Sequence, residues 1–166
     1  QLEYLETLPG EYPYNRGDKT NCNDWLIRQD IDVAQPAKAN EVAVMALKKG
    51  AQAIGFSLAE VNSADDLAVM VDNIDLTHTM VNFYGCKDYL SLLSWLEEVC
   101  SRRGIDTNSV KGSLDFDPMS YFMLNGKFYA SQEQDLSQAA EVVKLGAQKF
   151  ALLRTITVNG RYVQNA

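Results

Sequence analysis

The sequence predicts an α/β fold, the first half of a (β/α)8 TIM-type barrel with four parallel strands and crossover helices, preceded by an extended N-terminal arm. Three observations predict it. Short apolar and β-branched segments alternate with longer segments of helical period. The stretch EVAVMALKKGAQAIGFSL at Glu41 to Leu58 returns as EVVKLGAQKFALLRTI at Glu141 to Ile156, each a helix feeding a strand. Gly50 and Gly146, the matching glycines, stand 96 positions apart. Divided over three units, that is about 32 residues each, close to the ~31 expected when roughly 250 residues build eight βα units. Consecutive strand-helix-strand units require parallel pairing through crossovers. A doubly wound open sheet has similar spacing and is the structural alternative.

Residues 1–35 form the arm and 36–166 the half-barrel domain. Within the arm, PGEYPYNRGDKTNCNDWLIRQD crowds Tyr12, Tyr14, Arg16, Trp25 and Arg28 together with almost no secondary-structure period. The first helix runs from Pro36 at N1 to Lys49, with Ala39, Val42, Ala43 and Ala46 on one face. AIGFSL from Ala53 is the first strand. A second helix opens at Ser63, with Asp65 and Asp66 in its first turn, where the helix dipole favours them. TMVNFYG from Thr79 is the second strand. Tyr89, Leu92, Leu93, Leu96, Val99 and Cys100 make the stripe of the third helix, closed by Arg102, Arg103 and Gly104. KGSLDF from Lys111 is the third strand. A helix after Asp135 is expected to turn Leu136, Ala139, Ala140 and Val143 toward the sheet, and FALLRTITV from Phe150 to be the fourth strand. Gly50 and Gly146 are expected at C′ in the left-handed conformation, each behind lysines of a last helical turn. Four barrel strands leave two unpaired edges, so self-association of the isolated fragment is expected.

A net charge of −7 and a pI near 4.7 argue against nucleic acid or an anionic membrane as main partner. No window approaches the roughly 20 apolar residues of a membrane span. Cys22, Cys86 and Cys100 show no C-x-x-C spacing and read as reduced thiols of a cytoplasmic protein. The chain starts with Gln1 rather than Met, as expected of a piece of something longer.

Barrel chemistry sits at the C-terminal ends of the strands. Those positions hold Ser57, Glu60, Tyr84, Cys86, Asp115, Asp117, Thr157, Asn159 and Tyr162. Asp115 and Asp117, on one face of one strand, are an acid/base pair or a strand end that caps the next helix. His78, the only histidine, precedes the second strand at the opposite face. Zinc or a nucleophile–histidine arrangement is therefore not expected, and neither G-x-G-x-x-G after a strand nor a P-loop occurs. The residues alone supply a scaffold without a catalytic set or a metal site.

PGEYPYNRG followed by WLIRQ, then GAQAIGFSL, TMVNFYG, KGSLDFD and LLRTITVNGRYVQNA, resemble in order the start of the substrate barrel of the cobalamin-dependent acyl-CoA mutases, methylmalonyl-CoA mutase above all. The resemblance runs along the whole chain. It implies that Trp25, Arg28, Asp30, Asp115, Asn125 and Tyr162 occupy former substrate-binding positions. Trp25 and Arg28 keep the family's residue types. Asp30 stands for an active-site tyrosine, Tyr162 for a histidine, Asn125 for an arginine that holds the substrate carboxylate, and Asp115 for a glutamine. The family's Y-P-T-M-Y stretch is replaced by the DKTNCND region. Carboxylates at 30 and 115 would repel an anionic thioester and bury charge without a partner, and Asn125 lacks the bidentate clamp of arginine. The pattern resembles the non-catalytic small subunit of a heterodimeric mutase, which pairs with a large catalytic subunit binding adenosylcobalamin and substrate. No D-x-H-x-x-G occurs, so the fragment itself is expected to bind no corrinoid. The alternative is an active mutase that uses Asp30 and Tyr162 on a different acyl group. A ligand-binding half-barrel is a third reading.

Overall fold

The computed structural model describes residues 6–17, 20, 25–86 and 88–158. Its framework is one parallel sheet of five strands: β1 (Arg28–Ile31), β2 (Ala53–Ser57), β3 (Met80–Tyr84), β4 (Gly112–Leu114) and β5 (Leu153–Arg154). They are joined by α1 (Pro36–Lys48), α2 (Ala64–Met70), α3 (Tyr89–Arg102), a short α4 (Pro118–Asn125) and α5 (Gln132–Lys149). The spatial order is β1-β2-β3-β4-β5 with every pair parallel. A doubly wound sheet reverses direction at a switch point, whereas a barrel adds each strand beside the last. The sequential order therefore decides for the barrel arc. The added strand is β1, inside the arm, so the sheet has one strand more than the four expected.

Strand alternation sorts the side chains onto two faces. One register row is Ile31–Phe56–Phe83–Leu114, all almost fully buried beneath the helices. The next row back is Asp30–Gly55–Asn82–Ser113–Arg154, which faces the other way. The apolar face carries the core. α1 lies against α2, α2 against α3 and α3 against α5, a single helical layer over that face.

Local chemistry explains the helix bounds. Pro36 sits at the start of α1, and Ala39 and Ala43 are its buried residues, while Val42 is solvent-exposed rather than on the buried face. Ser63 caps α2 by accepting from the Asp66 amide (3.1 Å). Asp88 caps α3 through the Leu90 and Ser91 amides, and all six residues of the expected stripe are buried. Gly50 has the positive φ expected beyond α1 (103°). Gly146 does not. α5 begins earlier than expected, capped by Ser131, and runs on to Lys149, placing Gly146 in its interior. There Gly146 lets the helix approach Thr155, whose side chain a Cβ would meet. The buried face also differs from the expected one. Asp135, Val142 and Gly146 are buried, and Leu136 and Val143 are exposed instead of facing the sheet. Asp135 is buried because its carboxylate accepts from the Tyr129 and Ala130 amides (2.8 and 3.2 Å), which fixes the turn leading into the helix.

The helices are also stitched together at their ends. Asn40 of α1 donates to the Met70 and Asp72 carbonyls, and Arg103 after α3 donates to those of Val71 and Ile74. Lys149 of α5 pairs with Glu97 of α3 at 2.7 Å.

Candidate functional site

The polar face of the sheet, which would line a barrel interior, carries a cavity of about 390 Å³. Arg28, Asn82, Ser113, Asp115, Arg154 and Thr157 contribute to its lining. Each polar group comes from a strand or strand end, and the register brings them together. Arg28 Nε lies 2.6 Å from Asp30 Oδ1. This ion pair lies across Gly55 on the neighbouring strand: a Cβ there would collide with the Asp30 carboxylate and come within 2.8 Å of the Arg28 guanidinium. Asn82 is buried and donates to the Ile54 carbonyl (3.2 Å), while the Ser113 hydroxyl donates to Asn82 Oδ1 (2.7 Å). The Thr157 hydroxyl donates to the Leu114 carbonyl (2.9 Å).

β4 stops at Leu114, so Asp115 and Asp117 lie beyond the strand rather than along one of its faces. Asp117 turns away to cap α4, accepting from the Ser120 amide (2.9 Å) and hydroxyl. The pair is thus a rim carboxylate and a helix cap, the second of the two readings. Tyr89 anchors this corner by donating its hydroxyl to the Asp115 carbonyl (2.7 Å) and stacking on Phe116. Burial pushes the Tyr89 hydroxyl far above the ordinary tyrosine range.

Partial desolvation and then the Asp117 charge push the Asp115 carboxyl up, with Arg28 opposing and Asp30 reinforcing. A carboxyl raised in the folded state destabilises the fold above its folded pKa, and the penalty vanishes once pH falls below the unfolded value, near 3.8. Asp115→Asn is therefore expected to raise the urea midpoint slightly at pH 7 and to leave it unchanged below that value. A less stable variant at pH 7 would contradict this.

The structure gathers only some of the expected positions. Arg28 and Asp115 line the cavity, and Asp30 joins them through its ion pair. Asp30 is thus a paired, largely exposed carboxylate rather than a buried one without a partner. Trp25 precedes β1, is 78% exposed and lies off the cavity wall. Asn125 ends α4 with its amide bonded to the Tyr121 carbonyl (2.9 Å), also off the wall. Tyr162 lies outside the described residues, as do Cys22 and Asn159. Gly55, Asn82, Ser113 and Arg154 were not singled out from sequence. Their signal was positional, since each is the small or polar member of an otherwise apolar strand.

At the other end of the strands, His78 Nδ1 lies 2.8 Å from both Thr77 Oγ1 and Asp75 Oδ2. Hydrogen bonds from Thr77, then His78, hold the Asp75 carboxyl well below the usual range. Among the described residues no group of three His, Cys, Asp or Glu could hold a metal ion, and no helix is long and apolar enough to cross a membrane.

The family model for methylmalonyl-CoA mutase matches residues 54–166. The chain belongs to the methylmalonyl-CoA mutase family. Among relatives, it is 38% identical to a methylmalonyl-CoA mutase small subunit of Porphyromonas gingivalis, over 99% of this chain and 26% of that protein. A small subunit of Streptomyces virginiae is 23% identical over 92% of this chain and 25% of that protein. The large subunit from the same organism is 19% identical, over 99% and 26% respectively. The chain thus spans about a quarter of the length of the curated relatives it matches. The described mouth of this methylmalonyl-CoA mutase family barrel is polar. It presents an internal ion pair, a rim carboxylate and an amide–hydroxyl relay.

Proposed function

We propose that this chain is the barrel start of a non-catalytic small subunit of methylmalonyl-CoA mutase, supporting in the cytoplasm a large subunit that interconverts methylmalonyl-CoA and succinyl-CoA. The observation that carries the reading is the Arg28–Asp30 pair laid across Gly55. It occupies the face where an acyl group would lie, and it engages Arg28 Nε and offsets the positive charge that could have met an anion. An anionic thioester would have to displace Asp30 and approach Asp115 as well, and either step opposes tight, water-excluding closure. The existence of relatives named as small and large subunits supports a two-subunit assembly.

In such an assembly adenosylcobalamin, which supplies radical chemistry, belongs with the large subunit. The described residues of this chain do not fit a corrinoid. Their one histidine is tied to Asp75 and Thr77 at the end of the strands remote from the cavity.

The test uses the full-length polypeptide with adenosylcobalamin and methylmalonyl-CoA, alone and mixed with the large subunit. Turnover is expected only from the mixture, and Asp30→Ala in the mixture should leave kcat within about twofold. Rearrangement by the small chain alone, or a kcat lost with Asp30, would overturn the reading.

A further inference from the structure

We propose that the cavity on the polar face binds a short hydroxy- or amino-carboxylic acid, with its carboxylate on Arg154 and its donor group on Ser113 and Asp115. The starting point is the accounting of guanidinium groups. Among the described residues, Arg16 donates to the Thr7 carbonyl, Arg28 pairs with Asp30, Arg102 with Asp65 and Glu98, and Arg103 donates to the Val71 and Ile74 carbonyls. Arg154 alone makes no such bond. It stands at the end of the row that begins with Asp30, and it lines the cavity. A guanidinium presents a planar fork of donors that matches a carboxylate bidentately.

The remaining polar groups set what else the ligand must carry. The Ser113 hydroxyl hydrogen is committed to Asn82, and that of Thr157 to the Leu114 carbonyl. Each oxygen can then offer only lone pairs to the cavity. Asp115 adds a carboxyl at the rim. The complement is one cationic fork facing a set of acceptors, which suits a molecule with a carboxylate at one end and an O–H or N–H donor at the other. Arg154 and Asp115 are one strand and two residues apart along the sheet, so their Cα atoms are separated by about 8 Å from strand geometry. Because both side chains line the one cavity, their charged ends leave room between them for a short acid only. A cavity of about 390 Å³ is toward the small end of ligand sites. Arg28 also lines the cavity, but Asp30 offsets its charge through Nε, which leaves Arg154 as the guanidinium without a carboxylate beside it.

The experiment titrates 3-hydroxybutyrate and butyrate into the full-length polypeptide, reading binding by calorimetry. Saturable one-to-one binding of 3-hydroxybutyrate is expected, with butyrate about tenfold weaker for want of the donor. Arg154→Gln should weaken both acids at least tenfold, Arg154→Lys should weaken them less, and Asp115→Asn should narrow the difference between them. Arg102→Gln, in the helical layer, should change nothing. Circular dichroism checks that each variant folds, and Arg154→Lys serves if the glutamine variant does not. Absence of saturable binding, or equal binding by wild type and the Arg154 variants, overturns the proposal. Neither outcome bears on turnover of the two-subunit assembly.

Discussion

Gly112→Ala is expected to remove a large share of the stability of the fold. Gly112 sits in β4 with Val81 of β3 on one side and Leu153 of β5 on the other. Its φ of 157° and its closeness to β3 mean that an added Cβ would run into the Val81 carbonyl. The obstacle is backbone, so no rotamer change relieves it. The dihedral strain alone is of order 1–3 kcal/mol, and the clash pushes two central strands apart. A total of roughly 4 kcal/mol or more is a large fraction of the stability of an ordinary domain. Urea unfolding followed by circular dichroism reads this directly. A variant within about 0.5 kcal/mol of wild type would show that β3 and β4 are not so closely apposed.

Phe83→Ala is the second large effect, for the opposite reason. Phe83 is fully buried at the centre of the apolar row, with its ring 6.3 Å from that of Phe56 and Leu114 beside it in register. Removing the ring leaves a cavity walled by two strands and the helices above, a site with little freedom to collapse. The expected loss is about 3–5 kcal/mol. Phe83→Leu, which keeps most of the volume, should lose under about 2 kcal/mol. Equal losses from the two variants would mean that the site repacks.

The helices were legible where sequence carried a cap or a stripe. Ser63 with Asp65 and Asp66 states a start, Pro36 states a start and a face that holds at Ala39 and Ala43 but not at Val42, and the run from Tyr89 to Cys100 states a face that the structure buries throughout. α5 was read one face off because Asp135, a charged residue buried by two amide bonds, looks like a solvated first-turn acid. α4 is signalled only by the capping reading of the Asp115–Asp117 end, since PMSYFMLN is uncharged and its exposed methionines and Phe122 obscure any period. β1 was hidden by its composition: in RQDI only Ile31 is buried, while Arg28 lines the cavity and Asp30 pairs with it. The site was legible to the same degree. Asp30 and Asp115 drew notice as departures from a family pattern. Asn82, Ser113 and Arg154 acquire meaning only from register, because three polar residues on three separate strands become neighbours through pairing that no local segment encodes.

The side chains of Asn40 and Arg103 converge on the carbonyls that follow α2, one from each flank. A seven-residue helix would fray readily on its own, since so short a segment barely outlasts its nucleation. Held from both sides, α2 cannot open without releasing α1 and the end of α3. Its amide protons should therefore exchange with solvent together with those of its neighbours, as one cooperative unit rather than as the weakest local segment.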